Sequence, residues 1–295
     1  MNETTKNGIQ RYVIFSTQQY RDLAKTLLKT NPSGAGASSN FEWGSLETKK
    51  FADGEHYCRI VSSISHRDVV LIGGTVSDED TLELYDLASG LVDAGAHRLM
   101  VMIPYFGYST MERAVKSGEI VKAKTRARLL SSIPVPGSGA KVILLDLHVD
   151  SIAHYFEGNI RPWHLSGRPV ILKVVKETLQ LDDANDIVMA STDAGRAKIV
   201  ESLANDLHVP ASFVFKRRMD SGATSVTAVS AQVSGKHVII YDDSECIPMQ
   251  CAHFPFVAPN RLLAHLIPPI PTLCHLCSFY SDSDRWLTYR SSPSI

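Results

Sequence analysis

Short apolar runs of strand length alternate with amphipathic helical stretches along most of this chain. That alternation restricts it to an α/β fold, a mostly parallel sheet with helices on its faces. Tyr12-Val13-Ile14-Phe15-Ser16 predicts a first strand, and Ser16 or Thr17 can cap a helix running through Leu27 and Leu28. Residues 31–40 (NPSGAGASSN) read as a flexible connector. Residues 68–74 form a second apolar run, after which Ser77 opens a helix carrying Leu82, Leu84, Leu87 and Leu91. Further strands are expected at 99–106 and 142–147. A second half repeats the rhythm, with helices at 170–179 and 195–206 and strands at 187–191, 212–215, 226–233 and 238–242. With 295 residues and 44% hydrophobic content, the chain can bury one large or two medium cores.

Charge and cysteine usage narrow the setting. Thirty basic against 31 acidic residues leave a net charge near −1, which argues against a broad nucleic-acid surface while allowing a local anion pocket. The opening MNETTKNGIQRYVIF lacks the pattern of a secretory signal, and no window reaches the roughly 18 apolar residues of a membrane span. A cytoplasmic protein with no membrane contact is expected. Five cysteines, four of them at 246, 251, 274 and 277, fit a reducing compartment better than a disulfide scaffold. Their C-x4-C and C-x2-C spacing, with His253 and His275 nearby, is irregular for zinc and is interrupted by prolines.

Polar residues gather where the apolar runs end, the edge at which α/β sheets bind ligands. Phe51-Ala52-Asp53-Gly54-Glu55 places two carboxylates about a glycine, which suits a base or ribose edge and equally a surface turn. Ile103-Pro104-Tyr105-Phe106-Gly107-Tyr108 runs into an aromatic loop able to stack on a base or to pack in a core. Asp146-Leu147-His148 ends the run VILLDLH, so His148 is placed as a metal ligand, a transition-state donor or a structural histidine. Ser191-Thr192-Asp193-Ala194-Gly195 passes from a strand into a helix start, a setting for diphosphate or for Mg²⁺ through Asp193. Lys216-Arg217-Arg218 precedes the loop MDSGAT, a cationic arm able to close over a phosphoryl group or a solvated basic turn. Asp242 and Asp243 end an apolar strand as a carboxylate pair suited to vicinal ribose hydroxyls. No Walker A pattern occurs.

In this order FADGE, IPYFGY, DLH, STDAG, KRR and IIYDD resemble the ribose-phosphate diphosphokinase (phosphoribosyl pyrophosphate synthetase) family over residues 11–243. The resemblance implies two phosphoribosyltransferase-type α/β domains, placed at 11–157 and 158–243, the second incomplete; the prolines and scattered apolar residues of 244–295 predict a disordered tail. It implies transfer of the β,γ-diphosphoryl group of ATP to ribose 5-phosphate with Mg²⁺, in a homo-oligomer or a hetero-oligomer with related subunits. By position, Asp53 and Glu55 would lie at an adenine pocket completed across a subunit interface. Asp146 would support the His148 turn, and His148 would hold Mg²⁺ or a triphosphate oxygen. Asp193 would bind the ribose and its metal, Lys216 and Arg218 would be the catalytic cations of the closing arm, and Asp242 and Asp243 would take the ribose hydroxyls.

Two departures qualify that assignment. Where the family usually carries Arg-Gln-Asp-Arg-Lys, this chain has Thr110-Met111-Glu112-Arg113-Ala114, leaving Arg113 as the nucleotide-binding cation. The segment is similar to the divergent plant-like class, which implies weaker dependence on inorganic phosphate and a broader choice of nucleotide donor. After Asp243 a Gly/Thr-rich phosphate loop is expected, but the chain reads Ser244-Glu245-Cys246-Ile247-Pro248-Met249-Gln250-Cys251. Its prolines and scattered apolar residues predict no further strand. A catalytically impaired subunit that assembles with related synthetases is the alternative reading.

Overall fold

The computed structural model describes residues 12–29, 41–179, 187–191, 197–218, 224–229, 237–241 and 263–267. It divides into two compact units, Met1–Ser166 and Gly167–Ile295.

The first unit contains β1 (Tyr12–Ser16), α1 (Arg21–Lys29), β2 (Phe41–Trp43), β3 (Leu46–Lys50), β4 (His56–Ile60), β5 (Asp68–Ile72), α2 (Asp78–Asp93), β6 (Arg98–Ile103), α3 (Lys122–Ser131), β7 (Ala140–Leu145) and β8 (Ile160–Leu165). Six of its strands form one sheet in the order β2-β1-β5-β6-β7-β8, with every neighbouring pair parallel. Burial on both faces is the reason such strands read as continuous apolar runs, and β5 is buried at all its positions. Alternation along the strands divides the core. Val13, Phe15, Val69, Leu71, Leu99, Val101, Val142 and Leu144 pack with Leu84, Leu87 and Leu91 of α2 and Ala127 and Leu130 of α3. On the other face Ile14, Val70 and Ile72 meet Ala24 of α1.

Local chemistry sets the helix starts. Ser77 caps α2 in a reciprocal box: its Oγ accepts the Asp80 N–H at 3.0 Å, and its own N–H bonds the Asp80 carboxylate at 3.0 Å. The expected cap of α1 at Ser16 or Thr17 does not form. Thr17 N–H continues the ladder to the Ile72 carbonyl at 3.0 Å, so the helix begins only at Arg21, after a turn. The first unit also extends past the expected boundary at 157, because β8 pairs in parallel with β7 as an edge strand. Pro162 is tolerated there since an edge strand needs donors on one side only.

The second unit holds α4 (Arg168–Leu179), β9 (Ile187–Ser191), α5 (Ala197–Leu207), β10 (Ala211–Arg218), β11 (Thr224–Val229), β12 (His237–Tyr241) and β13 (Leu263–Ile267). The sheet order is β11-β10-β9-β12-β13, parallel except for the β10–β11 pair. Arg168 of α4 grips α5, donating to the Asp206 carboxylate at 2.8 Å and to the Ser202 carbonyl at 3.0 Å. β13 departs from the sequence expectation of no strand beyond residue 243. It pairs with β12 in parallel from His237 opposite Leu263 to Tyr241 opposite Ile267. The apolar run Leu262-Leu263-Ala264-His265-Leu266-Ile267 ahead of the prolines supplies it. The remainder of 244–295 lies outside the described residues. No helix among the described residues is long and apolar enough to cross a membrane.

Leu84 is fully buried between α2 and the sheet. Leu84→Ala should destabilise the first unit by about 2–5 kcal/mol, the cost of lost transfer plus a cavity. Urea denaturation checks this, and a loss below about 1 kcal/mol would show a looser interface than the packing indicates.

Candidate functional site

In the first unit the carboxyl ends of β5, β6 and β7 lie side by side, because Ile72 pairs with Met102 and Ile103 with Leu144. The topological switch point of this sheet lies between β1 and β5, and it is filled by the protein itself. Tyr20 packs where a Cβ on Gly74 would stand, Thr17 does the same at Gly73, and the half-buried Glu83 accepts the Gln18 N–H at 2.9 Å. Burial pushes the Glu83 carboxyl above its ordinary value. A carboxylate in that crevice disfavours phosphate.

The aromatic loop after β6 is fixed at two points. Gly107 donates its N–H to the Thr75 hydroxyl at 2.7 Å, and a Cβ at Gly107 would stand 1.9 Å from the Thr75 carbonyl oxygen, so only glycine fits. Tyr108 follows in the left-handed region at φ 60°, which an aromatic residue adopts only under constraint. Its hydroxyl donates to Asp78 at 2.7 Å, and its ring lies 4.7 Å from the Lys122 ammonium and 5.0 Å from the Arg126 guanidinium. Arg126 also pairs with Asp78. The Tyr108 hydrogen bond, with the charges of Arg126 and Lys122, holds the Asp78 carboxyl below its usual range. Tyr155 then anchors the loop by donating to the Glu112 carbonyl at 2.6 Å. Beyond it Arg113 is 79% exposed and touches the Glu112 carboxylate at 3.3 Å, leaving its guanidinium open to an anion.

β7 ends in the turn Asp146-Leu147-His148. Asp146 has φ 47° and donates its N–H to the Leu165 carbonyl at 2.8 Å. Leu147 donates its N–H to His164 Nε2 at 3.1 Å, and His164 Nδ1 lies 3.0 Å from the Asp150 carboxylate. His148 is half-buried on this turn.

Asp53 and Glu55 sit at the tip of the antiparallel β3–β4 hairpin. Phe51 N–H bonds the Glu55 carbonyl at 2.8 Å, and Gly54 at φ 95° closes the turn. The Asp53 carboxylate accepts the Glu55 N–H at 3.1 Å, so one of its oxygens has a structural task. The hairpin rests on α2 through Lys50 and His56, which approach Glu79 at 3.8 and 3.1 Å. Asp53 and Glu55 belong to this hairpin, whereas Arg113 follows β6 and His148 follows β7.

In the second unit the switch point lies between β9 and β12, and Tyr241 pairs directly with Ser191. The two candidate segments for a ribose phosphate, 192–196 with Asp193 and the Asp242–Asp243 pair, therefore leave adjacent strand ends, though these residues lie outside the described ones. Lys216 and Arg218 are not in a loop as the sequence suggested. β10 runs on through them, with Lys216 opposite Val226 and Arg218 opposite Thr224. Only residues 211–213 of β10 pair with β9, so this end of β10 and β11 form a two-stranded ribbon with a register shift between Phe215 and Lys216. β-pairing continued into a cationic stretch because β11 supplies the partner.

A family model described as the N-terminal domain of ribose phosphate pyrophosphokinase matches residues 12–133. A ribose-phosphate pyrophosphokinase of Clostridium perfringens is 30% identical over 241 residues, covering 81% of this chain and 70% of the relative. The chain belongs to the ribose-phosphate pyrophosphokinase family. A chloroplastic member from Oryza sativa subsp. japonica, ribose-phosphate pyrophosphokinase 2, is 31% identical over 79% of this chain and 55% of its own. The fold agrees with the crystal structure of a phosphoribosylpyrophosphate synthetase from Mycobacterium smegmatis, at TM-score 0.66 and 20% identity over 92% of this chain and all of that one.

Around the turns that follow β6 and β7, sequence reading missed Asp78, Lys122, Arg126, His164 and Asp150. The capping Ser77-x-x-Asp80 marked the start of α2, but nothing in the sequence paired Asp78 with a tyrosine thirty residues on. Because the Asp78 carboxyl titrates below its ordinary 3.8, its contacts with Tyr108 and Arg126 should persist throughout the range above 3.8. They should loosen only as pH falls through the lower native value. Carboxyl NMR checks this: Tyr108→Phe should raise the Asp78 midpoint, and an unchanged midpoint would remove the hydroxyl from its assigned role.

Proposed function

We propose that this chain carries the ribose-phosphate diphosphokinase site, in which the diphosphoryl group of ATP passes to the anomeric hydroxyl of ribose 5-phosphate to give 5-phosphoribosyl 1-diphosphate for nucleotide biosynthesis. The observation that carries the reading is the arrangement of strand ends in a chain of this family. Unit 1 offers Arg113 and His148 from neighbouring ends, and unit 2 starts both ribose-phosphate segments from the paired residues Ser191 and Tyr241. Arg113 and His148 bind the nucleotide, joined by Asp53 and Glu55 of a second subunit in a homo-oligomer or a hetero-oligomer. Asp193, Asp242 and Asp243 hold the ribose phosphate. Lys216 and Arg218 of β10 stabilise charge on the transferring group. The protein works in the cytoplasm.

Mg²⁺ keeps water and phosphate oxygens around it and takes few protein ligands; Asp193 would supply a hard carboxylate oxygen in the second unit, and in the first His148 would meet the ion or a triphosphate oxygen. When bound, it neutralises phosphate charge.

The sequence after Asp243 sets the limit on turnover. A Gly/Thr-rich loop gives a sugar phosphate several charge-assisted hydrogen bonds at roughly 1.5–3 kcal/mol each, so lacking about three costs about 4–9 kcal/mol, on the order of three to six decades of affinity. That same feature favours the second reading, a catalytically impaired subunit that assembles with related synthetases.

Nucleotide binding should therefore outlast sugar-phosphate binding. In calorimetry with Mg²⁺ present, ATP should bind at least about a thousandfold more tightly than ribose 5-phosphate. Tight ribose 5-phosphate binding without ATP binding would overturn the assignment of residues to the two ligands.

A further inference from the structure

We infer that His164 is a positioning residue for nucleotide binding, holding the turn that presents His148 without itself touching the ligand. The assignment rests on the reading of His148 as a triphosphate or Mg²⁺ contact. Asp146 stands at φ 47°, a conformation that a residue other than glycine keeps only when its surroundings impose it. Two bonds from β8 impose it: the Leu165 carbonyl accepts the Asp146 N–H at 2.8 Å, and His164 Nε2 accepts the Leu147 N–H at 3.1 Å.

Leu147 is buried, with 5% of its surface exposed, so its N–H depends on a protein acceptor. An imidazole side chain here does what a carbonyl does elsewhere in the sheet. Its state follows from its partners. An amide N–H only donates and a carboxylate only accepts, so the ring carries its proton on Nδ1, toward Asp150 at 3.0 Å, and keeps its lone pair on Nε2. Asp150 opens the 3-10 turn Asp150–Tyr155 directly after His148 and Val149. His148 is thus bracketed between Leu147 and Asp150, both of which hold the same ring. The ring in turn is fixed on β8, so the direction of His148 is set by the β7–β8 pairing rather than by a free loop. Such preorganisation matters because small misplacements of a contacting group are costly in binding.

Three versions of the full chain test this: the unaltered protein, His164→Ala and His164→Gln. The glutamine Oε1 reaches the place of Nε2 and restores the acceptor. Calorimetry with MgATP and amide exchange across residues 146–149 are read together. His164→Ala should weaken MgATP binding by about tenfold or more, the usual cost of losing a supporting group. It should also speed exchange across 146–149. His164→Gln should stay within about threefold of the unaltered chain on both readouts. Should the alanine variant not fold, His164→Asn takes its place, since its amide oxygen is too short to reach Leu147 and weak binding is expected. Equal MgATP affinity in the unaltered and alanine or asparagine proteins would overturn the role of His164, as would a glutamine variant as weak as these. Absence of MgATP binding by the unaltered chain, with 146–149 still slow to exchange, would instead overturn the nucleotide reading, a separate failure.

Discussion

Parallel pairing is the constraint from which the rest of this protein follows. Each crossover returns the chain to the amino edge of the sheet, so all carboxyl ends collect on the opposite edge. In the first unit this brings the ends of β5, β6 and β7 into line, and in the second it sets Ser191 beside Tyr241. The two units put the edge to different uses. Tyr20, Thr17 and Glu83 occupy the switch point of the first, where a half-buried carboxylate opposes phosphate, whereas the corresponding strand ends of the second lead into the segments that carry Asp193, Asp242 and Asp243.

What could be read from the sequence was whatever burial imposes on a short stretch. β1 and β9 fall at the expected residues, and β5 is an unbroken apolar run because both its faces are covered. β3 and β4 gave no such signal. LETKK and HYCRI are exposed at nearly every position and hold together by mutual pairing, so no apolar alternation marks them. β8 was hidden by Pro162 and α3 by its charges, since KAKTRARLLS buries only two alanines and a leucine. The proline-rich surroundings likewise concealed β13, whose five residues pair along a strand already present.

The site was legible as a set of strand-end motifs and not as a set of contacts. Asp53 and Glu55 stood out as carboxylates about a glycine, His148 as the end of an apolar run, and Arg113 only through the family resemblance. The groups that fix them did not, because each belongs to another element: Asp78 precedes the loop it secures by about a helix and a strand, and His164 lies on an edge strand that the sequence did not reveal. A tyrosine between a lysine and an arginine, or a histidine that replaces a ladder carbonyl, exists only once the sheet has placed its neighbours. The reach of β10 through Lys216 and Arg218 has the same origin, since only its pairing with β11 turns a basic loop into a ribbon.

The central claim is that a family site is assembled here with its nucleotide half intact and its 5-phosphate grip weakened after Asp243. Phosphorus NMR of 5-phosphoribosyl 1-diphosphate formation from MgATP and ribose 5-phosphate tests it most directly. It should compare the unaltered chain with one in which Ser244 to Cys251 are replaced by a Gly/Thr-rich loop. The account predicts little or no product from the unaltered chain and clear turnover once the loop is present. Equal turnover by the two chains would contradict it.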